Sequence, residues 1–435
     1  MKTAVIYDKW LHQFGGAEVV ACTMAKILIK AGWSITFVSG KFIHLHKIQD
    51  CFGINLKDIP FYVVWNNEKR LKEIVQGKDL FINLSFMDYS YGFAKKNIYY
   101  THFPTPERSI MFNLLLAFFH MTSFHTLLPK SMNEKVYNRI RAGIFFDMKK
   151  RLDSYDTILA NSEFTKKWIK NYWHKESTVL YPPVTNRNSP VVSHQSLAPN
   201  HEQTTNNLPA GRQGHQPTTI DYRPSTKHNW ITSVGRFFTL GHGKKQEVLI
   251  QAFIKLCDEL KHDNPRVQPH LTPGVTNLEL HLVGGVGSEP SSIRFLEYLK
   301  DLAKGYPIFF HINIPHTEVL EILAKSKIYW HATGYGEDEN TNPIAFEHFG
   351  IAPVEGIMSG CLPVFYAGGG LIEILDKMKL DKKAHLFKTV PELTTKTIDL
   401  LRKKPLTSTA MNTLHSSSFS EELFGRNFLD TISHA

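Results

Sequence analysis

Trp230–Phe253, WITSVGRFFTLGHGKKQEVLIQAF, is the stretch that decides the architecture. It reads as an apolar strand, a loop containing Gly241 and Gly243, and a helix with apolar residues at helical spacing. A strand that feeds a helix is the opening unit of a parallel sheet, because neighbouring parallel strands need a crossover between them. The same unit also opens the chain. TAVIYD, residues 3–8, leads to Gly15-Gly16-Ala17-Glu18 and a helix from Ala17 to Ala31 that Gly32 stops.

Two such starts in 435 residues imply two domains of ordinary size with a cleft between them. The first start continues through SITFVSG, LFINLS, NIYYTHF, DTILANS and STVLYPP, and the second through LELHLVGG, PIFFHIN, KIYWHAT and LPVFYAGG. Most of the second set are continuous apolar runs, as expected of strands covered on both faces. The fold class expected is therefore α/β, two Rossmann-like parallel-sheet domains facing across a cleft. Residues 1–184 form the first and 229–410 the second. Between them, residues 185–228 are rich in Asn, Thr, Gln, Ser and Pro, with Tyr222 the only aromatic. Such a piece buries too little to offset its ordering entropy and reads as a linker or insertion, with an ordered surface loop as the alternative. SFSEELFGRNFLDTI has a serine cap at Ser418 or Ser420 and helical spacing, so residues 411–435 are expected to close the chain as a helix.

Hydrophobic content of 42% with 21% charged residues suits a globular protein with two cores. The N-terminus, MKTAVIYD, runs straight into a strand without the pattern of a signal peptide. Four cysteines, none in CxxC or metal-like spacing, fit a reducing compartment, so a cytoplasmic location is expected. The net charge of +10 favours an anionic partner, either a phosphorylated ligand or an acidic membrane surface. No RNA-binding aromatic motif, zinc-finger spacing or helix-turn-helix signal accompanies it, so nucleic acid is not expected. His12, His44, His46, His120 and His125 lack partners at metal spacing, and no metal is expected. The segment from Ser109 to Leu128 is the most apolar, but Asn113, His120, Thr122, Ser123 and His125 interrupt it. It is too short and too polar to span a bilayer. Its basic flank, Lys130 to Arg151, fits an interfacial helix on anionic lipid, and a buried helix is the alternative.

The strongest chemical signal is FEHFGIAPVEGIMSGCLPVFYAGGG, in which Glu347 and Glu355 flank the turn Phe349-Gly350-Ile351. Gly350 allows close backbone approach, and the free N–H groups of the helix that follows suit a diphosphate. Glu355, about a turn inside, is placed to reach a ribose, and Glu347, before the turn, to accept hydrogen bonds from sugar hydroxyls. In SVGRFFTLGHGKK, Arg236 emerges at a strand end and Lys244 precedes a helix, where ligands of such sheets collect. Two cations there neutralise charge on a leaving diphosphate, with Lys245 an alternative to Lys244. Gly15 and Gly16 open the first helix at the facing edge but lack the GxGxxG spacing of a dinucleotide site. Asp8 ends the first strand, as an acceptor contact or a turn residue. His102 closes the strand NIYYTHF at the same edge, where a histidine can touch a sugar.

In this order, GGAE (15–18), THFP (101–104), ILANSEFTKKWIK (158–170), YPPV (181–184), SVGRF with Lys244, LVGG (282–285) and the Glu347/Glu355 pair resemble the retaining nucleotide-sugar glycosyltransferases of family 4, or group 1, of GT-B fold. The resemblance covers nearly the whole chain. It implies that Arg236 and Lys244 bind the donor diphosphate with the Gly350–Ile351 turn, Glu355 the ribose and Glu347 the sugar, with Gly15, Gly16 and His102 across the cleft. It also implies retention at the anomeric carbon without enzymic nucleophile, metal or other cofactor. The EHFGI wording is similar to the mannosyltransferases that extend dolichol-linked oligosaccharide, which favours GDP-mannose as donor. The acceptor expected is a glycan or polyprenyl-linked hydroxyl, with peripheral contact at the inner face of an anionic membrane. Two departures stand out: the loop from Arg236 to Lys244 is longer than usual, and residues 185–228 have no counterpart. The alternatives are a catalytically inactive nucleotide-sugar-binding subunit, or an epimerase or phosphorylase on the same architecture.

Overall fold

The structure, a computed structural model, describes residues 1–13, 15–52, 54–56, 59–106, 147–184, 227–238, 243–262, 271–272, 275–403 and 419–434. The apolar segment 109–128, the piece 185–226, Gly241 and Ser418 lie outside the described residues.

The two-sheet α/β architecture expected from the sequence is the one observed. In the first sheet β1 (Thr3–Tyr7), β2 (Ser34–Ser39), β3 (Phe61–Val63), β4 (Leu80–Asn83), β5 (Lys96–Thr101), β6 (Thr157–Ala160) and β7 (Thr178–Val179) pair in parallel, in the order β3-β2-β1-β4-β5-β6-β7. In the second, β8 (His228–Val234) is followed by a short antiparallel ribbon of β9 (Leu271–Thr272) and β10 (Val275–Thr276). Then come β11 (Glu279–Gly284), β12 (Ile308–Ile312), β13 (Ser326–His331), β14 (Leu362–Tyr366) and β15 (Leu386–Phe387), and the parallel order is β12-β11-β8-β13-β14-β15. Each sheet grows outward from its first strand and then restarts on that strand's other side. The strand order therefore reverses between β1 and β4 and again between β8 and β13, and the carboxyl ends at these points open crevices. The edge strands β3 and β15, too short for a periodicity to register, are absent from the sequence reading.

The helices are α1 (Gly16–Lys30), α2 (Leu45–Phe52), α3 (Glu68–Val75), α4 (Met148–Asp153) and α5 (Glu163–Trp173) in the first half. The second half has α6 (Gln246–His262), α7 (Pro290–Leu302), α8 (His316–Lys325), α9 (Ile351–Met358), α10 (Leu371–Lys377), α11 (Lys382–His385), α12 (Val390–Leu401) and α13 (Glu421–His434). None of the described helices is long and apolar enough to cross a membrane. The closing helix α13 returns to the first domain. Phe424 and Phe428 join Ile27 and Leu28 in its core, and Lys26 pairs with Glu421 at 2.5 Å.

Where the domains meet, Phe103, Phe164 and Trp168 pack on Phe346 in a shared apolar cluster. Burying such rings is worth about 1.5–3 kcal/mol each before entropy is subtracted. Polar contacts fix the register. Glu373 of α10 accepts the N–H groups of Glu163 (2.8 Å) and Phe164 (3.2 Å) at the start of α5, together with the Tyr181 hydroxyl (3.0 Å). Ser162 donates to the His348 carbonyl at 2.5 Å, and the His348 ring stacks on Phe103 with centroids 4.2 Å apart.

Candidate functional site

The crevice between β8 and β13 is built from glycine outward. Gly235 N–H donates to Val283 O (2.8 Å) and Phe237 N–H to Gly285 O (2.9 Å), tying the ends of β8 and β11 together. A Cβ on Gly284 would lie 2.0 Å from the Gly235 carbonyl, and one on Gly235 would lie 2.5 Å from Lys244 Cγ. These absent side chains let the Lys244 stem lie along the backbone. The two lysines part here. Lys245, with φ +54°, turns away to pair with Glu337 at 2.7 Å. Lys244 points into the crevice and pairs with Glu347 Oε2 at 2.7 Å.

Glu347 is the hub of this cluster. His331, at the end of β13, places Nε2 2.6 Å from Glu347 Oε2 and 2.9 Å from Thr333 Oγ1. The Glu347 carbonyl accepts Gly370 N–H at 2.8 Å, and a Cβ on Gly369 would sit 2.4 Å from that oxygen. The Gly368–Gly370 turn thus clamps the backbone that aims the carboxylate. Burial alone would raise the Glu347 pKa, but the Lys244 ammonium and the His331 hydrogen bond overcome it and hold the group well below the usual carboxylate range. Burial likewise lowers His331. The result is a fixed anion beside a fixed cation, with a neutral imidazole behind them.

Gly350 caps α9 with φ +110°, a conformation that a side chain resists, and a Cβ there would also lie 3.0 Å from Pro353 Cγ. The first-turn N–H groups of Ile351 and Ala352 are among those a helix leaves without internal partners, a positive end suited to an anion. One turn further in, Glu355 accepts His316 Nε2 from the start of α8 at 3.0 Å. Glu355 and Glu347 therefore occupy separate stations on either side of the turn.

The first domain closes over this surface. A Cβ on Gly16 would lie 2.8 Å from Ile351 Cδ1, so a side chain there would push that methyl aside. Gly15 donates its N–H to Glu18 Oε2 at 2.7 Å, which completes the cap of α1. Arg236 is exposed, lies over the Phe238 ring at 5.4 Å and donates to Gln13 Oε1 at 3.3 Å across the cleft. His102 Nε2–H donates to Leu84 O at 2.8 Å, and burial pushes its pKa down to about 4, so the ring is neutral with Nδ1 as an acceptor. Asp8 is buried and accepts Trp10 N–H at 2.9 Å, which is the turn role; burial raises its pKa well above the usual range. Among the described residues no three His, Cys, Asp or Glu side chains converge as metal ligands.

Of the residues singled out in the sequence, Lys244 and Glu347 touch, Ile351 adjoins Gly16, and Gly350 lies beside Glu347. Arg236 follows the end of β8 and Lys244 precedes the start of α6, while Glu355 lies on α9 and His102 on the facing sheet edge. His331, His316, Gln13 and Glu373 were missed. His331 alone had a signal, since it ends the strand KIYWHAT at the edge where ligands collect.

Two family models match the chain: Glycosyltransferase Family 4 over residues 14–186 and Glycosyl transferases group 1 over residues 220–413. Among solved structures the chain is similar to HepE from Anabaena, crystallised with UDP and glucose, at 13% identity and a TM-score of 0.58 over 100% of both chains. It is also similar to sucrose-phosphate synthase from Thermosynechococcus elongatus, at 13% identity and a TM-score of 0.53 over 100% of this chain and 98% of that one. At such identities the likeness is one of fold, the two-domain GT-B arrangement. No curated protein matches the sequence.

Proposed function

The first domain matches Glycosyltransferase Family 4 and the second Glycosyl transferases group 1, and we propose that the chain moves a hexosyl group from a nucleoside-diphosphate sugar to a hydroxyl acceptor, with retention and without a metal. The observation that carries this reading is the Lys244–Glu347 pair at the β8/β13 crevice, beside the helix end capped by Gly350. The diphosphate lies against the N–H groups of Ile351 and Ala352, between Arg236 and Lys244. That positive field stabilises the charge that develops as the leaving group departs. Glu347, ionised and held in place, accepts the sugar hydroxyls, and Glu355, steadied by His316, accepts those of the ribose. Gly15 and Gly16 leave room for the phosphates on the facing side, and neutral His102 offers Nδ1 to the sugar.

As the bond between the anomeric carbon and the phosphate oxygen breaks, the acceptor oxygen bonds to that carbon on the same face. Its proton passes to the departing phosphate. GDP-mannose is the donor that the EHFGI wording favours; HepE, crystallised with UDP and glucose, makes UDP-glucose the competing choice. A glycan or polyprenyl-linked acceptor at the inner face of an anionic membrane suits the net charge of +10.

Thermal melts with GDP-, UDP- and ADP-sugars test the donor, because a ligand that binds only the folded state raises its stability by mass action. One nucleotide class is expected to stabilise the wild type. Glu347→Ala and Arg236→Ala are expected to abolish transfer with the fold intact, and full activity in either would refute the site.

A further inference from the structure

The carboxyl edge of the first sheet carries a second arrangement that donor binding does not use. Trp65, just past β3, is 47% exposed, although its ring is firmly seated. A Cβ on Gly40 would lie 2.6 Å from Trp65 Cε3, so the indole rests on bare backbone. Trp10 meets it edge to face, with centroids 5.7 Å apart and planes at 89°, and is itself fixed by its Nε1–H donating to Phe86 O at 3.1 Å. Lys9 lies with Nζ 4.9 Å from the Trp65 ring centroid and donates to Asn66 Oδ1 (2.6 Å) and Asp88 Oδ2 (3.1 Å). Asn66 is held at φ +51°, a left-handed conformation that asparagine tolerates.

A half-exposed indole, held by its neighbours and with a hydrogen-bonding side chain oriented beside it, is matched to one kind of ligand. A sugar ring has an apolar C–H face to lay on the indole and hydroxyls around its edge for the exposed Asn66 amide, while Asp88, whose oxygens already accept Tyr7, Lys9 and Ser90, holds Lys9 in place beneath. A lipid or a protein anchor would instead be met by a continuous apolar surface, without an ion pair set into it. The Lys9–Asp88 pair, with side chains only 13% and 11% exposed, is part of the floor rather than a mobile fringe. The position also fits. The loop that holds Lys9 and Trp10 runs on through the turn Leu11–Gln13 to Gln13, which touches Arg236 across the cleft. A ligand seated on Trp65 therefore lies along the same rim as the donor crevice, a few residues of chain away.

We infer that Trp65, backed by Trp10 and the Lys9–Asp88 pair and rimmed by Asn66, is a saccharide subsite that holds a sugar ring of the acceptor. The inference rests on the proposed transfer reaction for the word acceptor, but not for the binding itself. The test uses the full chain and its Trp65→Ala and Trp65→Phe variants. Cellobiose, mannobiose and chitobiose are titrated by saturation-transfer NMR and tryptophan fluorescence, and vesicles of phosphatidylcholine with phosphatidylglycerol are titrated by co-sedimentation. Nucleoside-diphosphate stabilisation is measured on the same samples as a control for the fold and for the donor site.

At least one disaccharide is expected to bind the wild type, roughly tenfold more weakly to Trp65→Ala, a loss of about 1.4 kcal/mol, and nearly normally to Trp65→Phe. Nucleotide stabilisation stays unchanged in all three. Nucleotide binding with no disaccharide bound, or with equal binding to Trp65→Ala, overturns the subsite. Vesicle binding that Trp65→Ala abolishes while no disaccharide binds also overturns it, in favour of a membrane surface. Disaccharide binding that depends on Trp65 without any nucleotide response upholds the subsite and sinks the transferase reading instead.

Discussion

Replacing Lys244 by methionine removes the ammonium beside Glu347 while keeping most of the side chain's volume. The charged atoms are 2.7 Å apart, and the two side chains are 15% and 12% exposed. Their attraction at that separation is about 6 kcal/mol at an effective dielectric constant of ~20, before the cost of desolvating both groups is subtracted. Breaking such a pair from one side costs about 3–5 kcal/mol, because the other charge stays buried. His331 still donates to Glu347, so the lower end, about 3 kcal/mol, is expected for Lys244→Met. Glu347→Gln should cost a similar amount by stranding the lysine. The double variant should be less destabilised than the sum of the two, with a coupling of about 2–3 kcal/mol.

Denaturant unfolding followed by fluorescence gives these differences, since fully buried Trp330 adjoins His331 on β13. The pH dependence supplies a second check. The folded-state pKa of Glu347 is depressed, so its contribution is present above the ordinary carboxylate value and is lost as pH falls through the folded value. The gap between wild type and Lys244→Met should therefore persist from neutral pH to about 4.5 and close below it. A destabilisation under about 0.5 kcal/mol, or no coupling in the double variant, would refute the reasoning.

Three further outcomes follow from neighbouring contacts. His102 is held neutral, with a pKa of about 4, so its contribution is complete above the ordinary histidine value of about 6.5 and declines, by up to about 3 kcal/mol, as pH falls toward 4; His102→Gln should flatten that slope in acid melts, and an unchanged slope would count against it. Gly350→Ala places a side chain at φ +110° and should cost about 1–3 kcal/mol while reducing nucleotide stabilisation, and calorimetry with wild-type values would show the helix end is not the anion site. Glu373→Ala strips the start of α5 and Tyr181 of their shared acceptor. It should destabilise by about 2 kcal/mol and widen the radius of gyration in small-angle scattering, leaving nucleotide binding intact, and unchanged scattering would remove Glu373 as an interdomain latch.

The same contacts explain why the cleft is narrow here. Gly16 against Ile351 and Arg236 against Gln13 bring the facing edges together on the donor side, while Glu373, Ser162 and the Phe103–His348 stack join them beside it. A donor in the crevice would thus be covered largely by backbone of the first domain. Bare backbone there admits phosphates that side chains would exclude.

Periodicity and punctuation carried the architecture, because local rules govern both. Continuous apolar runs can be strands only where both faces are covered, and a glycine loop between strand and helix recurs at each start of the sheet. The Gly350 turn and the flanking glutamates were legible for the same reason, since a helix end exposes its N–H groups whatever surrounds it. What the chain could not disclose is which groups meet across long separations. Lys244 and Lys245 are chemically equivalent in sequence; the absent side chain at Gly235 and the position of Glu337 send one into the crevice and the other away. His331, His316 and Glu373 acquire partners only when strands and helices far apart in sequence are packed together. Trp65 lies in a segment without any motif, and its seat on Gly40 beside Trp10 exists only because β1, β2 and β3 end at one edge. Pattern along the chain determines which elements form, whereas the hydrogen bonds and charges of a site depend on distances that only close packing fixes.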